Sequence, residues 1–287
     1  MKSAAFEYVA PTSLEEAIAL LAARGDEAKV IAGGQSLMPL LALRFAQPGL
    51  LVDLNRVAGL AGIRELPGGG LAIGAMTRTR ELETDPLVAA RAPLAAEAAP
   101  LIAHRAIRNR GTVGGAVAHA DAAAELPAVM VASGATIVAQ GPSGSREIAA
   151  AEFFETHYTT ALATDEVLTE LRLPPLPAGS GTAFEEISRR HGDFAMAGAA
   201  TVLSLDDGGR CSAASVVLLG VADRPVAVDT DALLGAPPER ERFAAVAEAA
   251  AAQLSPASDQ HASAEYRRHL AAVLVTRTLT SAADRAS

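Results

Sequence analysis

The chain has 287 residues, half of them apolar but only 3% aromatic, so its core must be built mostly from Ala, Val, Leu and Ile, with length enough for two or three domains. A net charge of −9 with no local Lys/Arg cluster argues against nucleic acid as a partner. The single cysteine, Cys211, excludes an internal disulfide framework, and a cysteine-ligated iron–sulfur cluster or Cys₄ zinc site made by this chain alone; it reads as a small buried hydrophobe. The opening "MKSAAFEYVAPTSLEE" lacks the apolar region of a signal peptide, and no uncharged stretch reaches the ~20 apolar residues needed to span a bilayer. A soluble, cytoplasmic protein is expected.

In chain order, "TSLEEAIALLAARG" is a helix with defined ends. Ser13 and Glu16 fit a capping box, Leu14, Ile18 and Leu21 share a face, and Gly25 fits the stop. "KVIAGG" is a short strand, and "SLMPLLALR" a helix that tolerates Pro39 in its first turn. "LLVDL" and "GLAIGAMT" are strands, and residues 78–104 are helical with breaks near Pro86 and Pro93. "ELPAVMVAS" is a helix, "ATIVAQ" and "SREIAA" are strands joined by a "GPSG" turn, and "VLTELRLP" is another strand. "LPPLPAGSGTA" then marks the best domain boundary, near residue 176. Beyond it, "AFEEISRR", "AATVLSLDD" and "ASVVLLGVA" are strands with a helical turn near Met196. Two amphipathic helices close the chain, one with Phe243, Val246, Ala247, Ala250 and Leu254 on its face, the other with Tyr266, Leu270, Val273 and Leu274.

Two stretches stand out, "KVIAGGQSLMPLLALR" and "RNRGTVGGAVAHADAAAEL". In each, a glycine pair precedes a helical pattern. A sharp entry into a helix leaves backbone N–H groups free at its positive end, and glycine removes the Cβ that would hold a ligand off. Each pair alone could be only a tight turn. Together the loops suggest a pyrophosphate clasped from two sides, with Gln35, Ser36 and Thr112 adding side-chain donors. Neither is a P-loop or the Rossmann fingerprint.

Nearly end to end, the chain resembles the FAD-binding medium subunit of the molybdenum hydroxylases, the group of carbon monoxide dehydrogenase and xanthine dehydrogenase. The blocks that carry the resemblance are "FEYVAPTSLEEAIALL", "AGGQSLMPLL", "LVDLNRVAGLAGI", "LAIGAMTRTRELE", "AIRNRGTVGGAVAHADAAAELPAVMVASGA", "EFFETHYTTALATDEVLTELRLP", "SRRHGDFAMAG" and "SAEYRRHLAAVLVTRTL". The resemblance implies an α+β fold. A FAD-binding unit over residues 1–176, of two α/β subdomains (about 1–55 and 56–176) shared with vanillyl-alcohol-oxidase-type flavoproteins, precedes a C-terminal unit over 177–287 with a three-stranded sheet and a helix bundle.

By the same resemblance, Ile31, Ala32, Gly33, Gly34, Gln35, Ser36 and Leu37 hold the FAD pyrophosphate from one side, and Thr112, Val113, Gly114, Gly115 and Ala116 from the other. Ile102 and Ala103 lie near the flavin, Leu168 lines its pocket, and Glu125, or alternatively Asp121, accepts hydrogen bonds from the cofactor. The family often has Asn or Asp where this chain has Ala116, commonly has Asp where it has Glu125, and often carries a Lys where it has Glu185 and Glu186. Phe194 reads as core by periodicity, whereas the resemblance suggests an aromatic covering the isoalloxazine. His104 and His119 flank the second glycine pair and read as structural or surface residues, since flavin electron transfer needs no catalytic base.

The implied role is an electron-transfer flavoprotein subunit. A large subunit would hold the molybdenum cofactor and a small one two [2Fe–2S] clusters, and the assembly would be a dimer of heterotrimers, with FAD passing electrons to an external acceptor. No metal ligand and no catalytic residue is expected on this chain. Two alternatives stand beside this role: a self-contained flavin reductase or oxidase of the same fold, and a flavin-less assembly protein.

Overall fold

The structure, a computed structural model, describes residues 2–286. The first helix begins where its cap predicts. The Ser13 hydroxyl accepts the Glu16 amide (3.1 Å), the Glu16 carboxylate accepts the Thr12 amide (3.1 Å), and Gly25 ends the helix at φ 50°. This helix, α1 (Leu14–Arg24), and α2 (Leu37–Leu43) are the crossovers of a small parallel sheet. Its strands are β1 (Glu7–Val9), β2 (Ala28–Ile31) and β3 (Leu50–Asp53), in the order β1-β3-β2. Ala17, Ile18 and Leu21 of α1 pack on Leu50 and Val52 of β3.

The second sheet is antiparallel. After β4 (Ile63–Glu65) and β5 (Leu71–Gly74) come six short helices: α3 (Thr79–Thr84), α4 (Pro86–Arg91), α5 (Pro93–Ala98), α6 (Arg105–Arg108), α7 (Val113–His119) and α8 (Glu125–Ala132). Pro86 and Pro93 each occupy the first position of a helix, where a missing N–H costs nothing, so the predicted breaks are helix starts. The chain then forms the hairpin β6 (Thr136–Gly141) and β7 (Gly144–Ala149), the one-turn α9 (Ala150–Phe153), the ribbon β8 (Phe154–Thr156) and β9 (Thr159–Thr160), and β10 (Val167–Leu173). The sheet order is β4-β5-β10-β6-β7, with β10 returning to its centre.

The C-terminal sheet has three long strands, β11 (Ser180–Ser188), β12 (Ala195–Leu205) and β13 (Cys211–Leu219), plus the two-residue edge strand β14 (Val226–Ala227). Both faces of the sheet are covered. Phe184, Ala195, Ala200, Val217 and Leu219 enter the main core beneath α5 and α8. Ala183, Ala197, Ala199, Leu203, Val216 and Leu218 pack against α10 (Arg240–Gln253) and α11 (Ala264–Arg285). Glu97 of α5 ties the seam: its carboxylate accepts from the Thr182 hydroxyl (2.9 Å), the Phe184 amide (3.2 Å) and Arg285 (2.9 Å).

Two sequence expectations fail in this unit. Met196 lies in β12, not in a helical turn. A strand buried on both faces needs no polar alternation, and where the space is shallow its residues are Ala and Gly, a composition that looks helical. On α11 the buried stripe is Arg267, Leu270, Ala271, Leu274, Val275 and Thr278, while Tyr266 and Val273 are exposed. The buried Arg267 donates to the carbonyls of Met196 (2.5 Å) and Gly220 (2.8 Å) and to Asp259 (2.6 Å), which fixes the rotation of the helix.

Candidate functional site

The two glycine loops meet, as a shared ligand requires. A Cβ on Gly33 would stand 2.3 Å from the Arg110 carbonyl oxygen and 2.7 Å from the Gly111 Cα, and one on Gly115 would stand 3.4 Å from the Ala32 Cβ. The first loop leaves β2 at Ile31 and passes Gly34 at φ +72° before α2. Within the described residues, the amides of Gly33, Gly34, Gln35, Ser36 and Leu37 have no hydrogen-bond partner. The Gln35 side chain holds the turn by donating to the Gly33 carbonyl (2.7 Å). Gly33, Gly34 and Gln35 line a cavity of about 490 Å³ whose other walls include Met38, Asn55, Ile107 and Arg110.

The second loop differs. The Val113 amide donates to the Thr77 carbonyl (2.9 Å), Gly114 to Ala75 (2.8 Å), Gly115 to the Thr112 hydroxyl (3.2 Å) and Ala116 to the Thr112 carbonyl (3.0 Å). Gly114 is glycine because the protein's own chain crosses it: a Cβ there would lie 2.5 Å from that of Ala75. The expectation that both pairs present free amides therefore holds for the first loop alone. Gly33 and Gly114 both lack a side chain to let the fold close on itself.

A polar net missed by the sequence reading joins the loops. Asn55 donates to the Ala32 carbonyl (2.8 Å) and accepts from Arg78 (2.8 Å), whose other arm donates to the Arg110 carbonyl (2.8 Å). The matching blocks "VDLNR" and "TRTREL" contain these side chains, but nothing in their spacing shows that they converge.

The other candidates lie along the seam with the C-terminal unit. Ile102 and Ala103 form a bend, with Ala103 at φ +46°, held by Arg108, which donates to both of their carbonyls (3.0 Å each) and to Glu83 (3.0 Å). The loop through His191 to Phe194 leans on this bend: a Cβ on Gly192 would touch the His104 ring at 2.6 Å. Phe194 is 66% exposed, so the periodicity reading of a core residue is wrong. Leu168 is buried in the main core beside a β-bulge. His119 packs its ring on Tyr158 (4.9 Å), and burial lowers its pKa.

Asp121 is engaged locally, accepting from the Ala123 amide (2.9 Å) and the Tyr158 hydroxyl (3.3 Å). Glu125, at the first position of α8, is 7% exposed, and burial raises its pKa to about 7. No other residue among those described donates to it. Glu185 pairs with Arg277 (2.7 Å), so it is a surface ion pair, whereas Glu186 is half-buried, with an Oε2 that is out of solvent and has no partner among the described residues. Cys211 is buried in the second core. Among the described residues no group of three metal-ligating side chains exists, and no helix is long and apolar enough to cross a membrane.

The family model described as FAD binding domain in molybdopterin dehydrogenase matches residues 4–176, and that described as CO dehydrogenase flavoprotein C-terminal domain matches 182–282. This chain is a FAD-binding medium subunit of the molybdenum hydroxylase family. It is 46% identical to the 6-hydroxypseudooxynicotine dehydrogenase complex subunit alpha of Paenarthrobacter nicotinovorans, over all of this chain and 97% of that one. It is 43% identical to the carbon monoxide dehydrogenase medium chain of Hydrogenophaga pseudoflava, over 96% of each. A chain in the structure of the carbon monoxide dehydrogenase from the same organism superimposes with a TM-score of 0.97 over the full length of both. The relatives' dehydrogenase complexes make this flavoprotein chain an oxidoreductase component.

Proposed function

We propose that this chain holds FAD in the cleft formed by the two glycine loops and the inter-unit seam, and relays electrons from a partner's [2Fe–2S] clusters to an external acceptor. The carrying observation is the run of five unpartnered amides, Gly33 to Leu37, the first three of which belong to residues lining the cavity beside the second loop. Donors left free in this way suit a pyrophosphate. Ile31 to Leu37 would hold it from one side and Thr112 to Ala116 from the other, the first with backbone amides, the second with packing surface and the Thr112 hydroxyl. Asn55, Arg78 and Arg110 keep the loops in register. Ile102, Ala103, Leu168 and Phe194 would border the ring, and Glu125 would accept from the cofactor, with Asp121 behind it.

Bound FAD supplies the redox chemistry. The chain itself binds, orients and screens the cofactor, and no residue of it is required as a catalytic base. A large subunit with the molybdenum cofactor would oxidise the substrate and a small subunit would carry the clusters, in a cytoplasmic dimer of heterotrimers. The chain expressed alone should be yellow and fail to oxidise hydroxylase substrates, and adding both partner subunits should restore activity. A colourless chain that cannot be loaded with FAD, or a lone active species of 29.2 kDa, overturns the reading.

A further inference from the structure

The strands β11 and β12 pair as far as Ser188 and Ala195, and residues 189–194 form the tip of that hairpin. Within the tip, the Ser188 hydroxyl and the Asp193 amide both donate to the Arg190 carbonyl (2.9 and 3.0 Å). Among the described residues no hydrogen bond joins 189–194 to the FAD-binding unit. What the tip meets there is a ring. Gly192, at φ +87°, lies so close to His104 that a Cβ on it would stand 2.6 Å from both Cε1 and Nδ1 of the imidazole, and 3.1 Å from the Ala103 carbonyl carbon. The His191 ring centroid is 6.3 Å from that of the same imidazole.

The residue that supplies this ring is itself firmly placed. Ala103, just before it, is held at φ +46°, a conformation that a non-glycine residue keeps only where its surroundings enforce it. Arg108, 6% exposed and paired with Glu83, enforces it by donating to the Ile102 and Ala103 carbonyls. The His104 carbonyl accepts the amides of Ile107 (2.8 Å) and Arg108 (3.1 Å). Two residues beyond the contact, Phe194 stands 66% exposed, with its ring free to stack on a flat ligand. We propose that His104 is a positioning residue for the flavin: its ring seats Gly192, and through that seat it holds the hairpin tip so that Phe194 covers the cofactor ring. This rests on the reading of the chain as a FAD-binding subunit with Phe194 beside the isoalloxazine. Without the ring the tip has no hydrogen bond to hold it to the bend, and Phe194 moves with it.

The test is circular dichroism in the visible flavin bands of the full chain saturated with FAD, which reads how the protein packs on the flavin and not how stable the fold is. His104 is exposed, so removing its ring leaves the core intact. Phe194→Ala and His104→Ala should each lose roughly half of the signal or more, and the double variant should lose no more than Phe194→Ala alone, because the two act through one contact. Gly192→Ala attacks the same seat from the hairpin side and should also lose signal, while His104→Phe keeps a ring under Gly192 and should retain most of it. A His104→Ala chain with full signal, or losses that add in the double variant, overturns this inference alone. Full signal in Phe194→Ala overturns the placing of Phe194 and this inference with it, and leaves FAD binding standing. A chain that takes up no FAD overturns it together with the functional reading.

Discussion

The two glycine loops look alike in sequence and behave differently in the fold. The first loop leaves five successive amides, Gly33 to Leu37, without partners, whereas "TVGGA" engages its amides with Thr77, Ala75 and Thr112. The first is a donor surface kept open, and the second is a wall built against it. The difference lies in what runs behind each loop. The strand end at Ala75–Thr77 supplies carbonyls that accept from the second, whereas among the described residues no carbonyl accepts from the amides of Gly33 to Leu37. A glycine pair thus has two physical meanings, close approach of a ligand or close approach of the chain's own backbone.

The largest effect should come from valine at the two crossing points. Gly33→Val meets the Arg110 carbonyl and Gly114→Val meets Ala75, both rigid backbone, so each should destabilise the protein by about 3 kcal/mol or more and lose FAD as a consequence. Calorimetry checks this, and an unchanged Tm in either variant breaks the assigned packing. Gly34→Ala is the contrasting case. Its Cβ has room, with Ile31 and Met38 at 3.4 Å, but its φ of +72° costs an L-residue about 1–2 kcal/mol. The loop should shift, and FAD affinity should fall more than Tm. Gln35→Ala removes the hydrogen bond that shapes the free amides, and should weaken FAD by about 1 kcal/mol with little change in Tm. Thr112→Val strips the cap of α7 and should cost about 1 kcal/mol of stability with a smaller effect on FAD than Gly34→Ala. If the Thr112 variant loses flavin while keeping its Tm, the contrast between the loops is wrong.

Much of the fold was legible in the sequence because it rests on local chemistry. Ser13 caps, Pro86 and Pro93 open helices, and runs of branched residues mark β3, β6 and β13. The strands β1, β4, β8, β9 and β14 are two or three residues long, too short for a period to appear. The rotation of α11 was misread by one position because a buried arginine is invisible until its carbonyl partners are assembled. At the candidate site the glycine pairs were legible and their division of labour was not. Asn55 and Arg78 were missed for the reason that hid Arg267: each is a charged or polar side chain with partners far along the chain. The unpartnered Glu186 could be found only from the fold, since the neighbouring Glu185 is an ordinary ion-paired residue.

The C-terminal sheet carries apolar side chains into two cores at once, and Glu97 fastens its outer strand to α5. The proline-rich segment before it is therefore a seam in the sequence but not a hinge in the solid. The two units cannot swing apart without exposing Phe184, Val217 and Leu219, so their relative placement is set by the shared core. A fragment ending near residue 176 would carry a raw apolar face in place of its covering sheet and should precipitate or melt early. The whole chain should unfold in a single transition.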